Sequence, residues 1–210
     1  MNKDELLSLF PEPVFISAYP YNYEKELEFI KSFICEKENK TGEIHHNQQS
    51  IDTFVLNRPE LSKIKEFIQN KIQEYSKKII KSRKDLVITQ SWINKSVRDE
   101  YHQEHTHPNS IASGVFYFVS KDDMPPVLFR RKNHREISLS VEEYNDFNSS
   151  RRTIYLKSGD LIIFPSNMIH GVPPNNTDNE RISLAFNTWV KGNLGDIDAL
   201  TYLSEDMLSE

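Results

Sequence analysis

Within the nine residues from Arg181 to Trp189, Arg-Ile-Ser-Leu-Ala-Phe-Asn-Thr-Trp, the apolar residues Ile182, Leu184 and Phe186 alternate with the polar residues Arg181, Ser183 and Asn187. In an extended chain every second side chain points to the same face, so Ile182, Leu184 and Phe186 form one wholly apolar face. This pattern predicts a strand with one face against a core. If the strand belongs to a closed barrel, its other face lines the interior, where the arginine needs an anionic partner because an unpaired buried charge is too costly.

Similar short runs of β-branched and aromatic residues fill the rest of the second half of the chain. Turn-forming residues separate them, notably at 157–160 and 173–176. The predicted strands are Leu86–Ile93, Ile111–Val119, Val127–Arg130, Thr153–Leu156, Asp160–Phe164 and Arg181–Val190. Six strands at this spacing favour an antiparallel sandwich or barrel.

The first half of the chain has helical periodicity instead. Apolar residues recur every three or four positions from Tyr23 to Ile34 and again from Leu61 to Ile79. Helices followed by strands indicate an α+β protein that is mostly β, with N-terminal helices packed on one face of the sheet. Because there is no repeat or low-complexity linker, we expect a single domain over 1–210, with helical support over 1–85 and the β core over 86–192.

Composition narrows the class of protein. The chain has 210 residues, 37% hydrophobic and 27% charged, with a net charge of −5, as expected of a soluble globular protein. A nucleic-acid partner is disfavoured, and the basic clusters Arg130–Lys132 and Arg151–Arg152 are predicted to be solvated loop residues. The single cysteine excludes an internal disulfide, and no apolar run is long enough for a membrane helix, so we expect a cytoplasmic location.

Three of the seven histidines lie within the hexapeptide His102-Gln-Glu-His-Thr-His107. His105 and His107 are two positions apart, so an extended chain presents both to one ion. A fourth histidine, His170, follows the apolar run 161–165. Imidazole binds Fe, Zn, Cu and Ni, so the set predicts a metal site without choosing the metal.

At this point the chain resembles a branch of the 2-oxoglutarate/Fe(II) oxygenases. The resemblance covers most of the chain and depends on the order of its motifs rather than on any one of them. These are His105-Thr-His-Pro108, Ser113-Gly-Val-Phe-Tyr117, Phe164-Pro-Ser166 with His170, and Arg181-x-Ser183 with Phe186-Asn187; Leu9-Phe-Pro-x-Pro-Val14 and Ser91-Trp-Ile-Asn94 also match.

The resemblance implies a double-stranded β-helix, the jelly-roll core shared with cupins. It implies that His105, His107 and His170 bind Fe(II) and that Arg181 and Ser183 hold the far carboxylate of the co-substrate 2-oxoglutarate. Weaker candidates for the co-substrate pocket are Asn94, Tyr117 and Asn187. The expected activity is that of a dioxygenase, by default a hydroxylase, which uses O₂ and couples decarboxylation of 2-oxoglutarate to oxidation of a C–H bond in an unidentified primary substrate.

One position departs from the common pattern of two histidines and one carboxylate, because His107 stands where the family has an acid. A rival triad of His102, Glu104 and His170 would restore the carboxylate. Residues 102 and 104 have the opposite strand parity to 105 and 107, so a regular strand cannot present both pairs to one ion. Two other classes of function stay open, a cupin-like metalloenzyme that does not use 2-oxoglutarate and a non-catalytic jelly-roll binding module.

Overall fold

Eleven strands form two antiparallel sheets in residues 4–33, 35–36, 47–132 and 140–208, the parts of the chain that the computed structural model describes. The strands are β1 (Phe15–Ala18), β2 (Cys35–Glu36), β3 (Gln48–Ser50), β4 (Leu86–Ser96), β5 (His102–His105), β6 (Ala112–Val119), β7 (Val127–Arg130), β8 (Arg151–Ile154), β9 (Asp160–Pro165), β10 (Ile169–Val172) and β11 (Arg181–Val190).

The larger sheet has the order β1-β9-β6-β11-β4-β3-β2, and the smaller one has the order β5-β10-β7-β8. The eight strands β4 to β11 divide equally between the two sheets, and the central strand β11 pairs with both β4 and β6. Two four-stranded sheets connected in this way form a jelly roll. The predicted fold class is therefore confirmed, and the three strands outside the jelly roll extend the larger sheet at both edges.

Two α-helices, α1 (Glu24–Ser32) and α2 (Ser62–Glu74), contribute to the core on one side of the larger sheet; α2 continues as a π-helix over Tyr75–Ile80. The apolar stripe of α2, formed by Ile64, Ile68 and Ile72, is fully buried and belongs to the same core as Leu184 and Phe186 of β11. The apolar face read from the sequence of β11 is thus the face that meets the helices.

A second, smaller core lies between the two sheets. It contains Tyr117, Val127, Phe129, Leu156, Ile162 and Phe164. These side chains come from β6, β7 and β9 and from the segment that follows β8, so apolar packing from both sheets closes part of the jelly-roll interior. The polar positions of β11 face this interior.

Some boundaries differ from the predicted ones. Helix α1 ends at Ser32, and Phe33 has extended backbone angles (φ −67°, ψ 127°), whereas Ile34 and His45–His46 lie outside the described residues. The basic clusters are not loop residues throughout: Arg130 ends β7, and Arg151–Arg152 begin β8. Burial alternates along β7, where Val127 and Phe129 are buried and Leu128 and Arg130 are more exposed, which is typical of a half-exposed strand. No helix of the described residues is both long and apolar enough to cross a membrane.

Candidate metal centre

Strand pairing aligns four residues in one row across the smaller sheet. His170 of β10 pairs with His105 of β5 on one side and with Phe129 of β7 on the other, and Phe129 pairs with Arg152 of β8. Directly paired residues of antiparallel strands project from the same face of the sheet. Because Phe129 belongs to the core between the sheets, the row lies on the interior face of the smaller sheet, although the side chain of Arg152, on the edge strand, is exposed to solvent.

His107 joins this row from the loop after β5. The ligand atoms of His105, His107 and His170 all lie within 4.8 Å of one another, and the Nε2 atoms of His107 and His170 are 3.1 Å apart. The backbone N–H of His107 donates to the carbonyl of Ser166 at 2.9 Å, which ties the loop to the end of β9. In the described part of the chain, no other group of three or more His, Cys, Asp or Glu residues converges in this way.

Backbone carbonyls set the ring orientation of two of these histidines. Nδ1 of His105 lies 2.8 Å from the Gln103 carbonyl, and Nδ1 of His170 lies 2.9 Å from the Met168 carbonyl. Each Nδ1 therefore donates its proton to a carbonyl and leaves the ring's lone pair on Nε2, which is the arrangement typical of metal-binding histidines.

Burial keeps two of the imidazoles neutral. Burial first, and the neighbouring histidines in addition, lower the pKa of His107 to about 3 and that of His170 to about 4. At neutral pH each of these two rings consequently carries one proton and one lone pair rather than two protons, so a divalent cation does not have to compete with an imidazolium proton.

The residues of the rival triad do not come together. Glu104 makes ion pairs with Arg130, at 2.6 Å, and with Arg151, at 3.7 Å. His102 does turn inward, and its ring stacks on that of His105 with a centroid distance of 4.5 Å. The pairing of His170 with His105 and of Val172 with His102 contains a β-bulge, and the extra residue in β5 cancels the parity rule that separated residues 102 and 105.

A second row crosses the larger sheet on its interior face. Ser183 of β11 pairs with Asn94 of β4 and with Tyr117 of β6. All three side chains are at most 7% exposed. Asn94 Oδ1 accepts hydrogen bonds from Asn47 and Gln49, which fixes the amide. Burial raises the pKa of the Tyr117 phenol, and the positive charge of Arg181 opposes that rise.

Arg181 lies at the start of β11, two positions from Ser183, and is 6% exposed. Its guanidinium lies over the Tyr117 ring, 4.9 Å from the centroid. Nε of Arg181 has no hydrogen-bond partner, and within the described residues no carboxylate forms an ion pair with this arginine. A buried guanidinium without a carboxylate calls for an external anion, because isolated buried charge is strongly disfavoured.

The cavity beside Arg181 connects the two rows. Its lining consists of Asn47, Asn94, Lys95, Ser96, Tyr101, His102, Val172 and Arg181. His102 thus touches both the histidine cluster, through its stacked ring, and the cavity that contains the arginine. Of the five predicted co-substrate residues, Arg181 and Asn94 line this cavity, and Ser183 and Tyr117 adjoin it.

Asn187 lies elsewhere. It is six positions along β11 from Arg181, about 20 Å in an extended strand. Its Oδ1 accepts a hydrogen bond from Ser113 at 2.8 Å, and Ser113, Ser166 and Ser110 continue a chain of hydroxyl contacts beneath the His107 loop. The structure therefore does not bring Asn187 to the arginine but to the hydroxyl network that supports the histidine end of the interior.

Two aromatic residues of the site were not predicted from the sequence. The ring of Trp92 lies 5.9 Å from that of His107, and the ring of Phe164 lies 4.6 Å from that of His170. The alternation of side chains within β4 and β9 could have indicated that both rings face the interior. Trp92 lies on the same face of β4 as Asn94, and Phe164 lies on the same face of β9 as Ile162. Such alternation does not reveal which interior residues are close to a histidine, because that depends on how the two sheets align.

Comparison with known proteins agrees with this geometry. The model of a family described as "Putative 2OG-Fe(II) oxygenase" matches residues 90–187, a segment that contains the three converging histidines and Arg181. Among curated proteins none matches the chain in sequence.

Solved structures match over most of the chain at low sequence identity. HygX from Streptomyces hygroscopicus, with nickel and 2-oxoglutarate bound, is 8% identical over 84% of this chain and 82% of its own, with a TM-score of 0.60. SnoN, an alpha ketoglutarate dependent epimerase of nogalamycin biosynthesis, is 11% identical over 87% and 80%, with a TM-score of 0.61. A Pseudomonas putida prolyl-4-hydroxylase is 11% identical over 86% and 94%, with a TM-score of 0.56.

At these identities the structural matches establish the fold, and the family match adds the class of the site. Residues 90–187 of this chain are therefore similar to the 2-oxoglutarate/Fe(II) oxygenases, and the whole described fold is of the kind seen in solved members of that group.

Proposed function

We propose that the chain is an Fe(II)- and 2-oxoglutarate-dependent dioxygenase, acting as one domain over 1–210, and that it hydroxylates a C–H bond of its primary substrate. The observation that carries this proposal is the convergence of three histidine ligand atoms within 4.8 Å inside the jelly roll. Their donor chemistry fits iron, because imidazole is a common ligand of non-haem Fe. HygX, which shares the fold, has been crystallised with iron and with nickel plus 2-oxoglutarate.

In this proposal His105, His107 and His170 hold Fe(II) through ring nitrogens. Arg181 binds the far carboxylate of 2-oxoglutarate, for which a planar guanidinium provides a two-pronged match. Ser183 and the neutral phenol of Tyr117 add hydrogen-bond donors beside it, and Asn94 forms the wall of the pocket. Asn187 supports the loop that carries His107 rather than the co-substrate.

The protein then contributes orientation and exclusion of water. The carbonyls of Gln103 and Met168 fix two imidazoles, and the aromatic rings of Trp92, Phe129 and Phe164 surround the cluster. The bound metal and 2-oxoglutarate supply the oxidising power for attack on a C–H bond. Three neutral ligands leave the dipositive charge of the metal unbalanced, so a dianionic co-substrate is electrostatically well suited to this site.

An anaerobic titration tests the proposal. Apo-protein receives Fe(II) and then 2-oxoglutarate, and the visible charge-transfer band of the chelate is recorded. We expect the band in the wild type, its loss in His107→Ala and His170→Ala, and its persistence in Glu104→Ala, which removes a carboxylate of the same segment that is paired with Arg130.

The alternatives give different results. Loss of the band in Glu104→Ala, with His107→Ala unaffected, would assign the metal to the rival triad. Bound metal without any band would favour a cupin-like enzyme that does not use 2-oxoglutarate. Turnover is then measured as succinate formation, and a hydroxylated product distinguishes hydroxylation from other outcomes such as the epimerisation catalysed by SnoN.

A further inference from the structure

Arg152 is the end of the interior row that begins with the two histidines of the smaller sheet. The row runs His105, His170, Phe129, Arg152 across β5, β10, β7 and β8. Two observations place the backbone of Arg152 on the interior face: it pairs with Phe129, and it is two positions from Ile154, which packs against the inner core. Its neighbour Arg151 has the opposite parity and reaches Glu104.

The spacing of strands gives the distance from the histidine cluster. Adjacent strands are about 4.8 Å apart, so the Arg152 backbone is about 10 Å from that of His170. Phe129 separates the two residues within the row. An anion bound by Arg152 would therefore be separated from the metal by an apolar interval.

Arg152 already has an ion-pair partner, Asp146, but this partner competes only weakly with an incoming anion. The Arg152 guanidinium contacts Asp146 at 2.8 Å, but the two side chains are 61% and 76% exposed, and exposed ion pairs contribute little to stability. Asp146 belongs to a segment whose backbone is held by Arg131, which donates to the carbonyls of Asp146 and Phe147. The Asp146 carboxylate thus pairs with the Arg152 guanidinium at the solvent-exposed edge of the smaller sheet.

We propose that Arg152 binds an anionic group of the primary substrate, a carboxylate or a phosphate, two strands away from His170 of the proposed metal site. This inference rests on the proposed function, because it assumes that the histidine cluster is where the substrate reacts. The fork of a guanidinium binds either oxyanion through two parallel hydrogen bonds, and the incoming anion replaces or joins Asp146.

The test uses inorganic phosphate and, separately, acetate as probes of the full-length chain. Binding is followed through the backbone amide NMR shifts of β7 and β8. Arg152→Gln should weaken the binding of the preferred anion at least about tenfold, the loss expected for a charge-assisted hydrogen-bonded pair. Arg151→Gln is the matched control: it removes the same charge one residue away on the opposite face and should change the affinity less than about twofold.

Asp146→Asn distinguishes a binding role from a structural one. If Arg152 binds substrate anions, removal of the competing carboxylate should tighten phosphate or acetate binding, so Asp146→Asn and Arg152→Gln have opposite effects. A purely structural ion pair predicts effects of the same sign. Equal losses in Arg152→Gln and Arg151→Gln, effects of the same sign for Arg152→Gln and Asp146→Asn, or no saturable shift for either anion up to about 50 mM would each overturn the proposal.

The two probes distinguish the possible chemical sources. Preference for phosphate indicates a phosphorylated substrate, and preference for acetate indicates a carboxylic acid. The titration needs neither added metal nor 2-oxoglutarate, so its failure contradicts only the substrate class, whereas an absent charge-transfer band contradicts the proposed reaction.

Discussion

His107 is the residue at which the proposed metal site departs from the common pattern of two histidines and one carboxylate, and its surroundings explain how the departure is tolerated. The loop backbone at His107 is hydrogen-bonded to Ser166, and its ring lies between those of Trp92 and His170. A neutral ring fits this aromatic environment better than an unpaired carboxylate, which would lose its hydration there. The compensating negative charge must then come from the ligands that bind the metal.

His102 offers the sharpest test at the scale of single residues. It stacks on His105 and lines the arginine cavity, yet it is not one of the three converging histidines. We expect His102→Ala to retain Fe(II) binding and to raise the half-saturating concentration of 2-oxoglutarate several-fold, because one wall of the pocket is lost. The charge-transfer band under anaerobic titration measures both quantities.

A second substitution separates the contributions of His102. His102→Phe preserves a stacked ring but removes the ring nitrogens. If it behaves like the wild type, packing against His105 is what matters, and if it behaves like His102→Ala, a hydrogen bond to the co-substrate is lost. Complete loss of Fe(II) binding in both variants would instead make His102 a ligand.

At the scale of elements, the sequence predicted long apolar strands better than short polar ones. The bounds of β7 and β11 were predicted correctly, because β-branched and aromatic residues alternate there between turn signals. Strands β5 and β10 were not predicted, because His102–His105 and Ile169–Val172 are short and rich in polar or small residues. Strand β10 pairs with β5 and with β7 across long stretches of sequence, and no local pattern encodes such pairing.

The β-bulge between β5 and β10 is a second feature, this time in the candidate site, that the sequence did not predict. Parity correctly grouped Arg181 and Ser183 on the interior face of β11, but it failed where a strand has an extra residue. Gly171 lies opposite the bulge, and a Cβ built there would be only 2.9 Å from the His102 carbonyl oxygen. The glycine was visible in the sequence, but its close contact with another strand was not.

Helix α2 provides a prediction about stability. Ile68 is fully buried between the helix and the larger sheet, so Ile68→Ala should lower the free energy of unfolding by about 2–5 kcal/mol through lost burial and the cavity left behind. Lys63→Ala on the exposed side of the helix should change it by less than about 0.5 kcal/mol. Urea unfolding followed by circular dichroism measures both. Equal effects would mean that α2 does not anchor the sheet.

At the scale of the whole molecule, two layers of packing have separate tasks. The helices cover the outer face of the larger sheet, while the smaller core between the sheets holds their interior faces together. Two of the three histidines belong to strands of the smaller sheet, whereas Arg181 begins the central strand of the larger one. The candidate site is therefore a property of how the sheets pack, and neither sheet contains it alone.

This division between two sheets has a consequence for selectivity by length. In the proposed complex, a dicarboxylate held by the metal at one end and by Arg181 at the other spans a gap whose width the inter-sheet core fixes. We expect oxaloacetate, one methylene shorter than 2-oxoglutarate, and 2-oxoadipate, one methylene longer, to bind at least about tenfold more weakly, because either misplaces a charge-assisted contact. In Arg181→Ala the affinities of all three oxoacids should converge at a lower value, as measured by the charge-transfer band, and a preserved order of lengths in that variant would contradict this account. The spacing of the two sheets would then determine which length of oxoacid the protein accepts as co-substrate.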